Sequence, residues 1–153
     1  MENINKQQRK AKKGFTLVEL LIVIIIIGIL AGMMMLSTGS AKDKAEATKI
    51  VSNMRTIKSA ALMYYADNGK WPAVTSALDD VSKYLDSSPD TTVYSIVGGA
   101  ASDDLSVRAA VSDSGIKSKL ADMAKDSGLY KDAGATGPYV STGNEAFMII
   151  RKH

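Results

Sequence analysis

The chain divides by the spacing of its apolar residues. From Leu20 to Leu36 seventeen residues carry no charge, and all but Gly28 of the first eleven are Leu, Ile or Val. A helix with no polar face belongs in hydrocarbon or inside an assembly. Residues 15–36 reach about 33 Å at about 1.5 Å per residue, enough to cross a bilayer core. After the small polar cluster STGSA at 37–41 the pattern changes. Ala47, Ile50, Met54, Ile57, Ala61 and Tyr64 recur at steps of three and four, with Lys42, Lys44, Glu46, Lys49, Arg55 and Lys58 between them. The spacing predicts one long helix from about Phe15 to Tyr65, apolar all round at first and amphipathic after about Lys42. DNG at 67–69 ends it, with Gly69 suited to a left-handed cap.

Beyond Pro72 the patterning predicts a small α+β domain. Residues 75–86 read as a short helix carrying Leu78, Val81 and Leu85 on one side. Thr92–Val97 and Leu105–Val111 are rich in β-branched residues, and GGAASDD between them reads as a hairpin loop. Residues 114–127 are helical by the spacing of Ile116, Leu120 and Met123, with Gly128 closing. Residues 131–144 form a Gly-rich loop, and Ala146–Arg151 a last strand. The fold class is α+β: a long N-terminal helix packed on a small antiparallel sheet of three to four strands. No internal repeat interrupts this order.

Charge alters the picture at one place. Residues 1–14 hold Lys6, Arg9, Lys10, Lys12 and Lys13 against Glu2, a net +4, so the remainder of a chain whose total is +3 stands at −1. The basic character belongs to the leader, and no basic stripe argues for specific nucleic-acid binding. The chain has no cysteine, so neither a disulfide nor a thiolate site exists. Its single histidine, His153, is the last residue and a poor general base. Asp103 with Asp104, and Asp126 with Asp132, match no oxygen-ligand loop. No catalytic set and no phosphate-cradling loop is present, so no enzyme activity, metal or cofactor is expected.

Basic, then apolar, is the layout of an export signal. An ordinary secretory signal has a shorter apolar core and a small-residue cut site after it. A plain membrane anchor explains the length and a cytoplasmic basic flank. Neither explains Gly14 directly after two lysines, or Glu19 at the head of the run. A carboxylate near hydrocarbon is costly.

KKGFTLVELLIVIIIIGILAG at 12–32 resembles the class III signal of type IV pilins and the related pseudopilins. The resemblance covers residues 12–66 and extends to the exit YYADNGKWP at 64–72. It implies that a prepilin peptidase cuts between Gly14 and Phe15 and methylates the new amino terminus on Phe15. It divides the chain into a cleaved basic leader at 1–14, a transmembrane and filament-core helix at 15–41, and a periplasmic or extracellular pilin head at 42–153. The implied function is that of a structural subunit, a homopolymer built by inner-membrane assembly machinery. The precursor sits in the inner membrane and the product is an extracellular pilus filament. A pseudopilin of a type II secretion or DNA-uptake system is the alternative within the family. A bitopic anchored binding domain is the alternative outside it. In the filament, the Glu19 carboxylate would meet the Phe15 amine of the adjacent subunit and fix register; alternatively Glu19 snorkels to the headgroups. Gly28 and Gly32 either let the helix loosen in the filament or allow close helix packing. Two family features are missing. No proline lies at Met33–Leu36, and the usual disulfide-closed C-terminal loop cannot form. Tyr130, Tyr139 and Phe147 are the residues that would anchor 131–144 by burial.

Overall fold

The computed structural model describes residues 14–98 and 104–151. Helix α1 runs Leu17–Asn68, α2 Ala77–Ser82 and α3 Ser114–Ser127; strands β1, β2 and β3 are Tyr94–Gly98, Leu105–Ala110 and Glu145–Arg151. The chain forms two compact units, one up to Thr38 and one from Gly39 onward.

In the first unit every described side chain from Gly14 to Met34 is exposed, including Ile25, Ile26 and Leu30. This part of α1 is long and apolar enough to cross a membrane. It has no core of its own.

In the second unit the chain builds a core. The sheet is antiparallel in the order β1-β2-β3, with Tyr94 opposite Ala109, Ile96 opposite Val107 and Val107 opposite Met148. Alternation along each strand sends Tyr94, Ile96, Val107, Ala109, Ala146, Met148 and Ile150 to one side, and all are buried. Ala47, Val51, Met54, Ile57, Ala60 and Ala61 of α1 join that same core. Val51 and Ala60 are buried, while the expected Ile50 and Tyr64 are partly buried and pack against that core. On the other side of the sheet, Arg108 donates to Ser95 Oγ at 2.9 Å and to Glu145 Oε1 at 2.8 Å, tying the three strands together.

The element boundaries differ from the expected ones where side chains compete for the backbone. β1 starts at Tyr94 rather than Thr92. Asp90 Oδ1 accepts from both the N–H and the hydroxyl of Thr92, and the Asp90 carbonyl accepts from the N–H groups of Val93 and Tyr94. That turn consumes the first two residues of the expected strand. α2 is shorter than 75–86. Ser76 makes no side-chain cap and donates instead to Asp80, and tight turns end the helix as Tyr84 and Leu85 bond to Val81 and Ser82. α3 has the expected bounds because both ends are punctuated. Asp113 Oδ1 accepts from Ile116 N at 3.0 Å, and Gly128 takes φ 66°. α1 ends at Asn68, with Gly69 at φ 67°. Trp71 then stacks on Tyr65 with ring centroids 4.4 Å apart, and Tyr84 donates to Asp67 at 2.7 Å, fixing the exit. Most of the expected hairpin loop, residues 99–103, lies outside the described residues.

Residues 131–144 contain no helix or strand of their own. The loop is closed at its base by a reciprocal backbone pair, Tyr130 N to Phe147 O at 2.8 Å and Phe147 N to Tyr130 O at 3.0 Å. Tyr139 is buried, and its hydroxyl donates to the Gly143 carbonyl at 2.8 Å. Phe147 is buried as well, whereas Tyr130 is half-buried and contributes mainly backbone.

Candidate processing and assembly site

The residues of interest lie at the entry to α1. Gly14, Phe15 and Thr16 precede the helix, and the Thr16 carbonyl accepts the first helical bond from Leu20 N at 3.2 Å. Thr16 is therefore the N-cap. Its backbone N–H and its hydroxyl both donate to Glu19 Oε2 at 2.8 Å, and Glu19 N–H donates back to Thr16 Oγ1 at 3.2 Å. This reciprocal pair is a capping box, which satisfies helix N–H donors that have no intrahelical acceptor. Glu19 also lies in the first turn, where the helix dipole favours an anion.

The sequence reading found Glu19 and Phe15 but missed Thr16. The signal was present, since Thr-x-x-Glu ahead of an apolar run is a helix-start signature. Its consequence is that Glu19 has hydrogen-bond partners within its own helix entry. The partners are hydrogen-bond donors without charge, and among the described residues Glu19 is in no ion pair.

Phe15 is 89% exposed. Gly14 has nothing within 4 Å of where a Cβ would stand, and the same holds for Gly28 and Gly32. None of these three glycines is required by packing within the chain. Elsewhere, Asp132 is held by its own loop: Thr136 donates to it from both its hydroxyl and its backbone N–H. These bonds, the hydroxyl's first, keep the Asp132 carboxyl below the usual range.

Residues 9–35 match the family described as the prokaryotic N-terminal methylation motif. Type II secretion system core protein G of Klebsiella michiganensis is 34% identical over 87 residues, 57% of this chain and 61% of that protein. The fimbrial protein of Neisseria meningitidis is 37% identical over 82 residues, 50% of this chain and 48% of that protein. The match thus spans about half to three fifths of the length of these relatives. Among solved structures, the major type IV pilin PilA1 from Clostridium difficile aligns with a TM-score of 0.54 at 20% identity, covering 74% of this chain and 99% of that one. At that identity the likeness speaks to fold, and the fold is a long N-terminal helix on a three-stranded antiparallel sheet. In its N-terminal motif and over part of its length the chain is similar to type II secretion pseudopilins and fimbrial proteins, and in fold to a type IV pilin.

Proposed function

We propose that this chain is a type IV pilin precursor, a structural subunit without catalytic activity. It waits in the inner membrane with its basic leader in the cytoplasm and its head outside. A prepilin peptidase cuts between Gly14 and Phe15 and methylates the new amine, and the assembly machinery then adds the mature chain to a filament. One observation carries the reading: α1 is apolar on every side up to Met34, and among the described residues nothing covers it. Such a surface needs hydrocarbon first and neighbouring helices later. The open space at Gly14 supports processing, because a small residue there is explained by a protease subsite and not by the fold. Cleavage leaves Thr16 and Glu19 in place and adds an ammonium at Phe15. That is a charge the Glu19 carboxylate does not pair with among the described residues.

The relatives named as type II secretion core protein G favour a second reading, a pseudopilin whose filament stays short. Electron microscopy of producing cells separates the two, since a pilin gives surface filaments. The processing step is tested with Gly14→Arg. The expected outcome is a full-length chain retained in the membrane and no filament. A mature-length chain from that variant would sink the assignment of the cut.

A further inference from the structure

The head carries two grooves of opposite charge, on opposite flanks of α1. The larger, about 510 Å³, lies between α1, the segment 85–90, the start of β1 and the start of α3. Four carboxylates line it, from Glu46, Asp86, Asp90 and Asp113, against one ammonium, from Lys49. Its floor is apolar, with Ile50, Leu85 and Val93 partly buried. The second groove, about 440 Å³, lies where α1 meets the end of α3 and β3. Arg55 and Lys58 line it, Leu62 and Ile149 add apolar surface, and no acid is present. None of these six charged groups that flank α1, four acidic and two basic, is in an ion pair among the described residues. Glu46 and Arg55 are nine positions apart, two and a half helical turns, which sets the two flanks back to back.

We propose that the occupant of the acidic groove is the basic flank of a second copy of this chain. The proposal rests on the filament reading and specifies how heads meet within it. Two patches that complement each other but face opposite ways cannot close a pair. Each docked copy presents a fresh acidic groove, so the contact is heterologous and propagates without end. Exposed charges contribute little singly, but several opposed charges steer the encounter and penalise the wrong register. Apolar helices sliding past one another lack that discrimination. The heads supply it.

The absence of native cysteine makes a clean test possible. Ser59 lines the basic groove and Ser87 the acidic one, both are exposed, and replacing them leaves every charge in place. Filaments are sheared from cells producing the full chain with Ser59→Cys, Ser87→Cys or both, then oxidised. The double variant should give a ladder of covalent multimers, and each single variant only monomer. Dimers from a single variant would mean a self-facing contact and would overturn the proposal, as would intact filaments with no ladder. A second measurement keeps the charges in question. Arg55→Glu with Lys58→Glu should cut filament yield about tenfold or more, and adding Glu46→Lys with Asp86→Lys should restore most of it. Unchanged yield from the first pair would also overturn the proposal. Wild-type cells are imaged in parallel. If they make no filament, the pilin reading itself fails and the head contact falls with it.

Discussion

The two units share one helix and use it in opposite ways. Up to Thr38, apolar side chains point in every direction and all the described ones are exposed. From Gly39 on, the same helix keeps one buried stripe from Ala47 to Ala61 and leaves Lys44, Lys49 and Arg55 in water. The amount of hydrophobicity therefore does not say what a segment packs on, but its angular distribution does. A stripe has its partner in the same chain, here the sheet. A full circle has no such partner among the described residues and calls for one outside them.

The sharpest way to break this comparison is at Glu19, where the two accounts of one carboxylate diverge. As a capping-box residue it serves its own helix. As the counter-charge of a neighbour's Phe15 amine it serves the assembly. Glu19→Gln separates them, because glutamine at the third helical position still closes the box but carries no charge. If pairing matters, both Glu19→Ala and Glu19→Gln abolish filaments while the membrane precursor persists at normal abundance. Filament preparations and membrane pools measured side by side decide this. Normal filaments from Glu19→Gln would leave only the cap, a contribution of about 1 kcal/mol.

A smaller effect sharpens the contrast along the helix. Met54 is completely buried, so Met54→Ala should lower the stability of the head by about 2–5 kcal/mol. Ile26→Ala removes a comparable apolar volume from a position 51% exposed and should leave the head's melt within about 0.5 kcal/mol. Denaturant titrations of the detergent-solubilised chain, read by near-ultraviolet circular dichroism, report the head alone. Similar losses from both variants would contradict the division into units.

The smallest effect lies in the 131–144 loop. The Asp132 carboxyl is held below its ordinary range by Thr136, whose hydroxyl contributes most and whose backbone N–H contributes less. A carboxyl whose folded-state value is depressed stabilises the fold above its unfolded value, and that contribution disappears as pH falls through the folded value. Asp132→Asn should therefore cost stability at neutral pH and little below about pH 3, leaving a shallower pH profile. Melts at the two pH values check it. The change should be well under that of Met54→Ala, because the group is solvent-exposed.

Much of this was legible in the sequence wherever a local rule acted alone. The bounds of α3 follow from Asp113 and Gly128, and the end of α1 from DNG. The β-branched side chain of Thr92 points to a strand start there, but Asp90 two residues earlier claims that residue for a turn. The spacing of Thr16 to Glu19 announces the capping box, but the long apolar run beside it is the stronger pattern. Other contacts leave no local trace. Gly115 sits against Asp43 of α1 so closely that a Cβ would collide with the carboxylate, a constraint that only the folded chain reveals. The opposed grooves are of the same kind, since Glu46 joins Asp86, Asp90 and Asp113 only when α1 lies on the head domain.

The closed base of the 131–144 loop has a consequence for how the protein matures. Tyr130 and Phe147 close it with two backbone bonds, and Tyr139 seals it by burial. A covalent bridge across such a loop would stabilise it by about 3 kcal/mol, but would have to wait seconds to hours for an oxidant or an isomerase. This closure forms at the pace of ordinary chain packing and reforms whenever it opens. With no cysteine in the sequence, closure of this loop does not depend on the redox state of its surroundings. A loop closed this way forms as readily without oxygen as with it.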